Sequence, residues 1–328
     1  MKKRVFLMLA VLALVAAACG GDDDTAGGDD GGTDAGPDAD KPTITLIVNP
    51  WTASRLNAEV AKVIIERELG YPVETTEVNE NDAMFTGMAD GTLDAVLEIW
   101  PSGVTDAEQS YFAEGSVVNI GELGAVGKIG WFVPSYVIDE NPELATWEGF
   151  SDPANAALFA TAETGDNGRF LGTDPSYSQY DEQIIDNLGL PLEVVFSGSE
   201  PATVAEIDAR VAAGEPIVLY WWTPTAAVAK YDLVNVELPA YTDDCGASAA
   251  AGDGAVDCDY PEDPIYKAAS GLLEEKASDV FAFLQAFTIT TEDQLEMLPA
   301  VEIDGDDPSA VAEKWVNDHE DVWSTWLS

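Results

Sequence analysis

Pro216-Ile-Val-Leu-Tyr-Trp-Trp-Thr-Pro224 reads as a buried strand that stops at a proline. Its centre is apolar, β-branched and aromatic, as strands are. A residue ahead of proline is pushed out of the helical region, so the strand ends there and leaves Trp222 at its carboxyl tip. In open α/β sheets that edge is where ligands bind. Two more tryptophans take the same place. Trp100 ends Leu93-Asp-Ala-Val-Leu-Glu-Ile-Trp100 ahead of Pro101, and Trp51 follows Thr43-Ile-Thr-Leu-Ile-Val48 through Asn49-Pro50.

Working outward, 52–69 has helical spacing at Leu56, Val60, Val63, Ile64 and Leu69, with Gly70 where a terminating glycine belongs. Residues 71–78 read as a strand. A short helix over 81–90 presents Met84, Phe85 and Met88, and Gly91 ends it just before the strand to Trp100. The unit recurs. Thr203 and Glu206 suggest a capping box, Val204, Ile207 and Val211 line one face, and Gly214 precedes the strand to Trp222. Two copies of helix–Gly–strand–Trp–Pro suggest two similar lobes, each giving a tryptophan to a shared cleft.

Between the copies, Lys128-Ile-Gly-Trp-Phe-Val-Pro134 reads as the strand that crosses into the second lobe. Residues 152–162 hold a short helix and a strand, 165–180 a loop, and 183–188 a helix. After Cys258 the chain is expected to return to the first lobe. Residues 274–287 read as a helix, and a last helix begins at Ser309. Its stripe of Val311, Trp315, Val322, Trp323 and Trp326 reads as core packing. The expected class is α/β with mostly parallel sheets, two lobes and a double crossover. The boundaries are 42–127 for lobe I, 128–258 for lobe II and 259–328 for the return.

Ahead of the globular part, Lys2, Lys3 and Arg4 precede an apolar run of 14 residues, Val5 to Ala18, too short to span a membrane. With Ala16-Ala-Ala-Cys19 this is a secretory signal peptide over 1–18. The cysteine at the cleavage point resembles the bacterial lipobox, which implies lipid attachment to Cys19; the alternative is ordinary cleavage with a free thiol. Residues 19–41 hold eight acids and no large apolar side chain, and read as a flexible acidic tether. Beyond residue 41 stand 10 basic and 53 acidic side chains, a formal charge of −43. Such a field repels nucleic acid and anionic membrane. In an oxidising compartment Cys245 and Cys258 are expected to pair. The segment 246–255 between them has no core-forming residue, and no His or third Cys is near for a metal.

An indole face attracts a cation placed over it, by about 0.5 to 2 kcal/mol per wall. Several such walls make a box suited to a quaternary ammonium, which has no N–H to donate. The other reading of a strand-tip tryptophan is a lid on the core, and nine tryptophans make coincidence easier.

Asn49-Pro-Trp-Thr52, Ala89-Asp-Gly91 through Glu98-Ile-Trp-Pro101, Gly130-Trp-Phe-Val-Pro-Ser-Tyr136 and Tyr220-Trp-Trp-Thr-Pro224 resemble, in the same order, the glycine betaine/choline substrate-binding proteins of ABC importers. The resemblance covers most of 43–328. It implies a two-lobed periplasmic-binding-protein fold of the clam-shell type II, an aromatic box for a trimethylammonium group, an ABC permease as partner and no cofactor. A monomer outside the cell membrane, held only by its lipid, is expected. By resemblance Trp100 and Trp222 fall on box tryptophans, Trp51 on the first-helix tryptophan of choline-type members, and Tyr177 on a loop aromatic of betaine-type members. Trp131 lies next to a further box position, which here is Ile129. Trp221 points to the other strand face and reads as packing. The family's histidines are replaced, as at Val104 and Thr225, and the one histidine is His319. A ligand carboxylate would then need backbone N–H groups at a helix start, or Ser102, Thr223, Arg55 or Arg169. Ala53 stands where choline-type members carry an acid. Glycine betaine, carnitine, proline betaine, choline and ectoine-like solutes all stay open. A secreted hydrolase lacks its motifs here, with no G-x-S-x-G or H-E-x-x-H. A surface adhesion module would not need two lobes with facing tryptophans.

Overall fold

The computed structural model describes residues 40–177 and 179–327. The signal peptide, Cys19 and nearly all of the tether lie outside them. Nine strands of the described residues join in one sheet. They are β1 (Ile44–Val48), β2 (Val73–Glu77), β3 (Ala95–Ile99), β4 (Val117–Pro134), β5 (Gly168–Gly172), β6 (Leu192–Phe196), β7 (Val218–Thr223), β8 (Leu233–Val236) and β9 (Glu262–Ser270). Their order is β2-β1-β3-β9-β4-β7-β5-β6, with β8 paired to β4.

The two ends of the sheet are parallel: β1 with β2 and β3, and β5 with β6 and β7. Antiparallel pairing is confined to β4, β9 and their neighbours. The 18 residues of β4 pair with β9 along their first part and with β7 and β8, on opposite edges, along their last part, so the crossing strand is far longer than Lys128–Pro134. β9 returns beside β3 and makes the second crossing. Every residue of β3 is buried, as is β7 up to Trp222, because helices cover both faces.

The repeated unit is present. Gly91 and Gly214 both take left-handed backbone and end the helices Asp82–Asp90 and Glu200–Ala213. The capping box at Thr203 is not. Ser199 caps that helix instead, with Pro201 in the first turn, where its missing N–H costs nothing. Thr203 is buried one turn in, and Glu206 pairs with Arg169. The loop expected over 165–180 contains β5, whose two glycines disguise it. A Cβ on Gly168 would sit 2.4 Å from the Ala156 carbonyl oxygen.

Cys245 and Cys258 are disulfide-bonded, and the small residues between them form a helix, Asp243–Ala251, capped by Thr242. The expected helix over 274–287 is broken at Ala277 into Leu273–Lys276 and Ser278–Ala286. The C-terminal stripe is core. Trp315, Trp323 and Trp326 are buried, and Trp326 packs on Phe283 and Phe287.

Candidate binding site

Each wall of the site is fixed by its own local device. Asn49, fully buried at the exit of β1, donates its N–H to Ser54 Oγ (2.9 Å) and its side-chain amide to the Val78 carbonyl (3.2 Å). That locks the turn through Pro50 and presents Trp51 at the start of helix Thr52–Ile64. Trp100 follows β3 directly, and its backbone N–H donates to Glu80 Oε1 (3.1 Å). Its ring lies on the bare backbone of Gly127 in β4, where a Cβ would come within 2.2 Å of the indole. Trp222 stands one residue before the end of β7, opposite Ile129, and the Thr223–Pro224 bond after it is cis. Tyr220, two residues back, shares its strand face. Tyr177 comes from the loop after β5 and donates its hydroxyl to the Pro50 carbonyl (2.6 Å).

These residues enclose a space of about 400 Å³, counting its open mouth, lined by Trp51, Glu80, Trp100, Ile129, Ser176, Tyr177, Tyr220 and Trp222. Tyr177 meets Trp51 edge-on at 5.5 Å and Trp222 edge-on at 5.8 Å. Trp221 is fully buried and does not line the space; its ring stacks on Trp222 at 4.4 Å, and its indole N–H donates to Thr225 Oγ1. Among the described residues no Lys, Arg or His stands in the lining.

Behind the walls sits Glu98, 1% exposed. Its Oε1 accepts from the indole N–H of Trp51 (2.7 Å) and of Trp100 (3.0 Å), and its Oε2 from Asn57 (2.7 Å). Burial pushes its carboxyl up to about 7, against the pull of those three donors. Burial likewise drives Glu80 well above the usual carboxylate range, helped by the nearby acids Glu98, Glu108 and Asp263. Glu200, from the helix after β6, accepts from Thr52 at both its N–H (2.9 Å) and Oγ1 (3.0 Å), and burial raises it to about 7.

Of the residues singled out from sequence, the structure brings Trp51, Trp100, Tyr177 and Trp222 to one cavity. It does not bring the others. Trp131 is fully buried, packed on Phe150 and Phe170, with its N–H on Asp181 (2.6 Å). Ile129, two residues back on the same strand face and opposite Trp222, supplies an aliphatic wall instead. Arg55 pairs with Glu77 at the surface (2.6 Å), and Arg169 makes a two-pronged pair with Glu206. Ser102 gives its N–H (2.9 Å) and its hydroxyl (2.6 Å) to Asp263, and Thr223 is outside the lining. Sequence reasoning passed over Tyr220, which the two-residue period of β7 places beside Trp222, and Ser176. It also passed over Glu80, which ends no motif and is one acid among many. His319 stacks on Trp315 in the C-terminal region and takes no part.

The model for the substrate binding domain of the ABC-type glycine betaine transport system matches residues 42–318. The trimethylamine N-oxide-binding protein of Pelagibacter ubique (strain HTCC1062) is 25% identical over 292 residues, covering 88% of this chain and 91% of that protein. Lactococcal OpuAC, in its closed-liganded conformation with glycine betaine, superposes with a TM-score of 0.68 at 20% identity, over 88% of this chain and 100% of that one. An ABC-transporter choline-binding protein in complex with choline gives 0.67 at 20% identity, over 87% and 91%. These relatives are binding proteins of transporters, not enzymes, and share the two-lobed fold. This chain belongs to the family of substrate-binding domains of ABC-type glycine betaine transport systems.

Proposed function

We propose that this chain captures a methylated ammonium solute outside the cell membrane and delivers it to an ABC permease, tethered by a lipid on Cys19. The observation that carries this reading is the cavity itself, with four aromatic walls, Trp51, Trp100, Tyr177 and Trp222, and, among the described residues, no basic side chain in the lining. Indole faces attract the diffuse charge of a trimethylated nitrogen, and each wall adds about 0.5 to 2 kcal/mol. The relatives support the same chemistry, since their names specify trimethylamine N-oxide, glycine betaine and choline.

The walls come from both lobes as assigned here, Trp51 and Trp100 from 42–127 and Tyr177 and Trp222 from 128–258. Hydrogen bonds from Tyr177 to Pro50 and from Tyr180 to the Ser102 carbonyl (2.9 Å) join the two sides. In this reading the arrangement is the closed one, and a ligand bridging the walls shifts the population toward it. Isothermal titration of residues 42–328 with trimethylamine N-oxide, choline, glycine betaine and carnitine tests it. Binding of at least one, lost in Trp222→Ala, is expected; silence from all four overturns the reading.

A further inference from the structure

Two carboxyls reach from one side of the cleft to the other, and both stand outside the cavity lining. Glu200 lies in the first turn of helix Glu200–Ala213, on the 128–258 side, and is 4% exposed. Its two oxygens accept from Thr52 N–H (2.9 Å) and Thr52 Oγ1 (3.0 Å), at the start of helix Thr52–Ile64 on the 42–127 side. Glu302 makes the opposite reach. It ends helix Thr291–Glu302 of the returning segment, which is joined to the first side where Gln294 donates to Asn57 Oδ1 (3.4 Å). Its Oε2 accepts from Ala226 N–H (2.7 Å), at the start of the short helix Ala226–Lys230, just past Trp222 and the cis Thr223–Pro224 bond. Each side therefore supplies an acceptor for the first N–H of a helix on the other side. That N–H is a group no bond within its own helix can satisfy.

In the opening proposed above these three bonds would break, and both the donors and the carboxyls would exchange them for water. Deleting one of the acceptors then costs the closed form a bond and leaves the open form unharmed.

Resting on the function proposed above, we propose that Glu200 and Glu302 are positioning residues, a reciprocal pair of latches that set the affinity for ligand without touching it. They stabilise the closed form, and the apparent affinity of a ligand scales with how far closure is favoured. Two signatures separate a latch from a wall of the cavity. A wall discriminates between ligands, whereas a latch changes the affinity of every ligand by one common factor. A latch also acts after capture, so its loss speeds dissociation and leaves association as it was.

The test is titration calorimetry and stopped-flow tryptophan fluorescence on residues 42–328 with trimethylamine N-oxide, choline, glycine betaine and carnitine. The variants are Glu200→Ala, Glu302→Ala and the two glutamine replacements, which keep an acceptor oxygen. Each alanine variant is expected to weaken every ligand that binds by about fivefold or more, the scale of one lost hydrogen bond, with the whole change in the dissociation rate. Each glutamine variant should stay within about twofold of the wild type, because its amide oxygen still accepts. Wild-type affinity in both alanine variants overturns the latches. So does a loss carried by slower association, a loss that differs severalfold between ligands, or glutamine variants as weak as the alanine ones. Should the alanine variants not fold, Thr52→Ala leaves both acids in place and removes one donor to Glu200. It is then expected to speed dissociation about twofold, and a wild-type rate in it overturns the Glu200 latch. Silence from all four ligands in the wild type overturns the underlying reading of the cavity together with this one.

Discussion

Replacing Glu98 by alanine should loosen two walls of the cavity at once. The carboxyl accepts from Trp51, Trp100 and Asn57, and its removal leaves those three N–H donors unpaired. A buried donor without a partner costs about 1 to 3 kcal/mol. Trp51 is only half-buried and can turn to water, so the lower end is the better figure for each. The sum is about 3 kcal/mol of folding stability. At roughly 2 to 4 °C per kcal/mol for a chain of this size, Tm should fall by about 6 to 12 °C. Glu98→Gln should lose less, near 1 kcal/mol, because an amide oxygen still serves both indoles while its NH2 opposes the Asn57 amide. Ligand affinity should drop at least tenfold in Glu98→Ala, since neither ring is then held. Differential scanning fluorimetry and titration calorimetry read both quantities. A Tm within 2 °C of wild type, with unchanged affinity, would refute the view that one carboxylate aligns the two rings.

Further outcomes follow from the same geometry. Trp222→Ala should cost at least tenfold in affinity while far-UV circular dichroism stays that of the wild type, whereas Trp222→Phe should retain part of the binding. Gly127→Ala puts a methyl where the Trp100 ring lies, so it should weaken binding and lower stability by about 1 to 3 kcal/mol; a wild-type affinity and Tm would mean the ring can move aside freely. Removing the disulfide in Cys245→Ser/Cys258→Ser reopens a loop of about 14 residues and should cost roughly 3 kcal/mol in chemical denaturation. For pH, burial raises Glu98, Asp181 and Glu200 to about 7 and Glu302 to about 8. The folded chain therefore holds more protons than the unfolded one between about pH 4.5 and 8. Stability should rise as pH falls from 8 toward 5, and a flat or opposite Tm profile over that window would refute it.

Much of the site was legible in the sequence because a Trp followed by proline marks a strand's end without needing a partner. The local signals at Trp100-Pro101 and Trp222-Thr-Pro224 fix both the end of the strand and the ring's place on it. Face alternation places Tyr220 beside Trp222, although Trp131, on the same face as Ile129 but one step further along β4 and turned onto Asp181, shows that face alone does not decide which side chain reaches the cavity. The arginines could not be read this way. Arg55 meets Glu77 of β2, and Arg169 meets Glu206 of a later helix, pairings that only the sheet order creates. Nor could the carboxyls on the helix starts be read. Among 61 acids, Glu80, Glu98, Glu200 and Glu302 carry no local mark that sets them apart. The length of β4 was hidden by Gly121, Gly124 and Gly127, which look like a loop in a chain read residue by residue.

The acids that cap helices across the cleft give the chain a second currency besides the ligand. In this arrangement burial raises Glu200, on Thr52, to about 7 and Glu302, on Ala226, to about 8, and the proposed opening of the cleft would undo that. Opening of the kind proposed would return both carboxyls to water, where carboxylates ionise near their ordinary values. Closing on a ligand near neutral pH must then draw hydrogen ions from the solvent. The apparent heat of binding should differ between phosphate and Tris by the difference in their ionisation enthalpies multiplied by that uptake. Mutating both acids to glutamine should bring the two buffers into agreement.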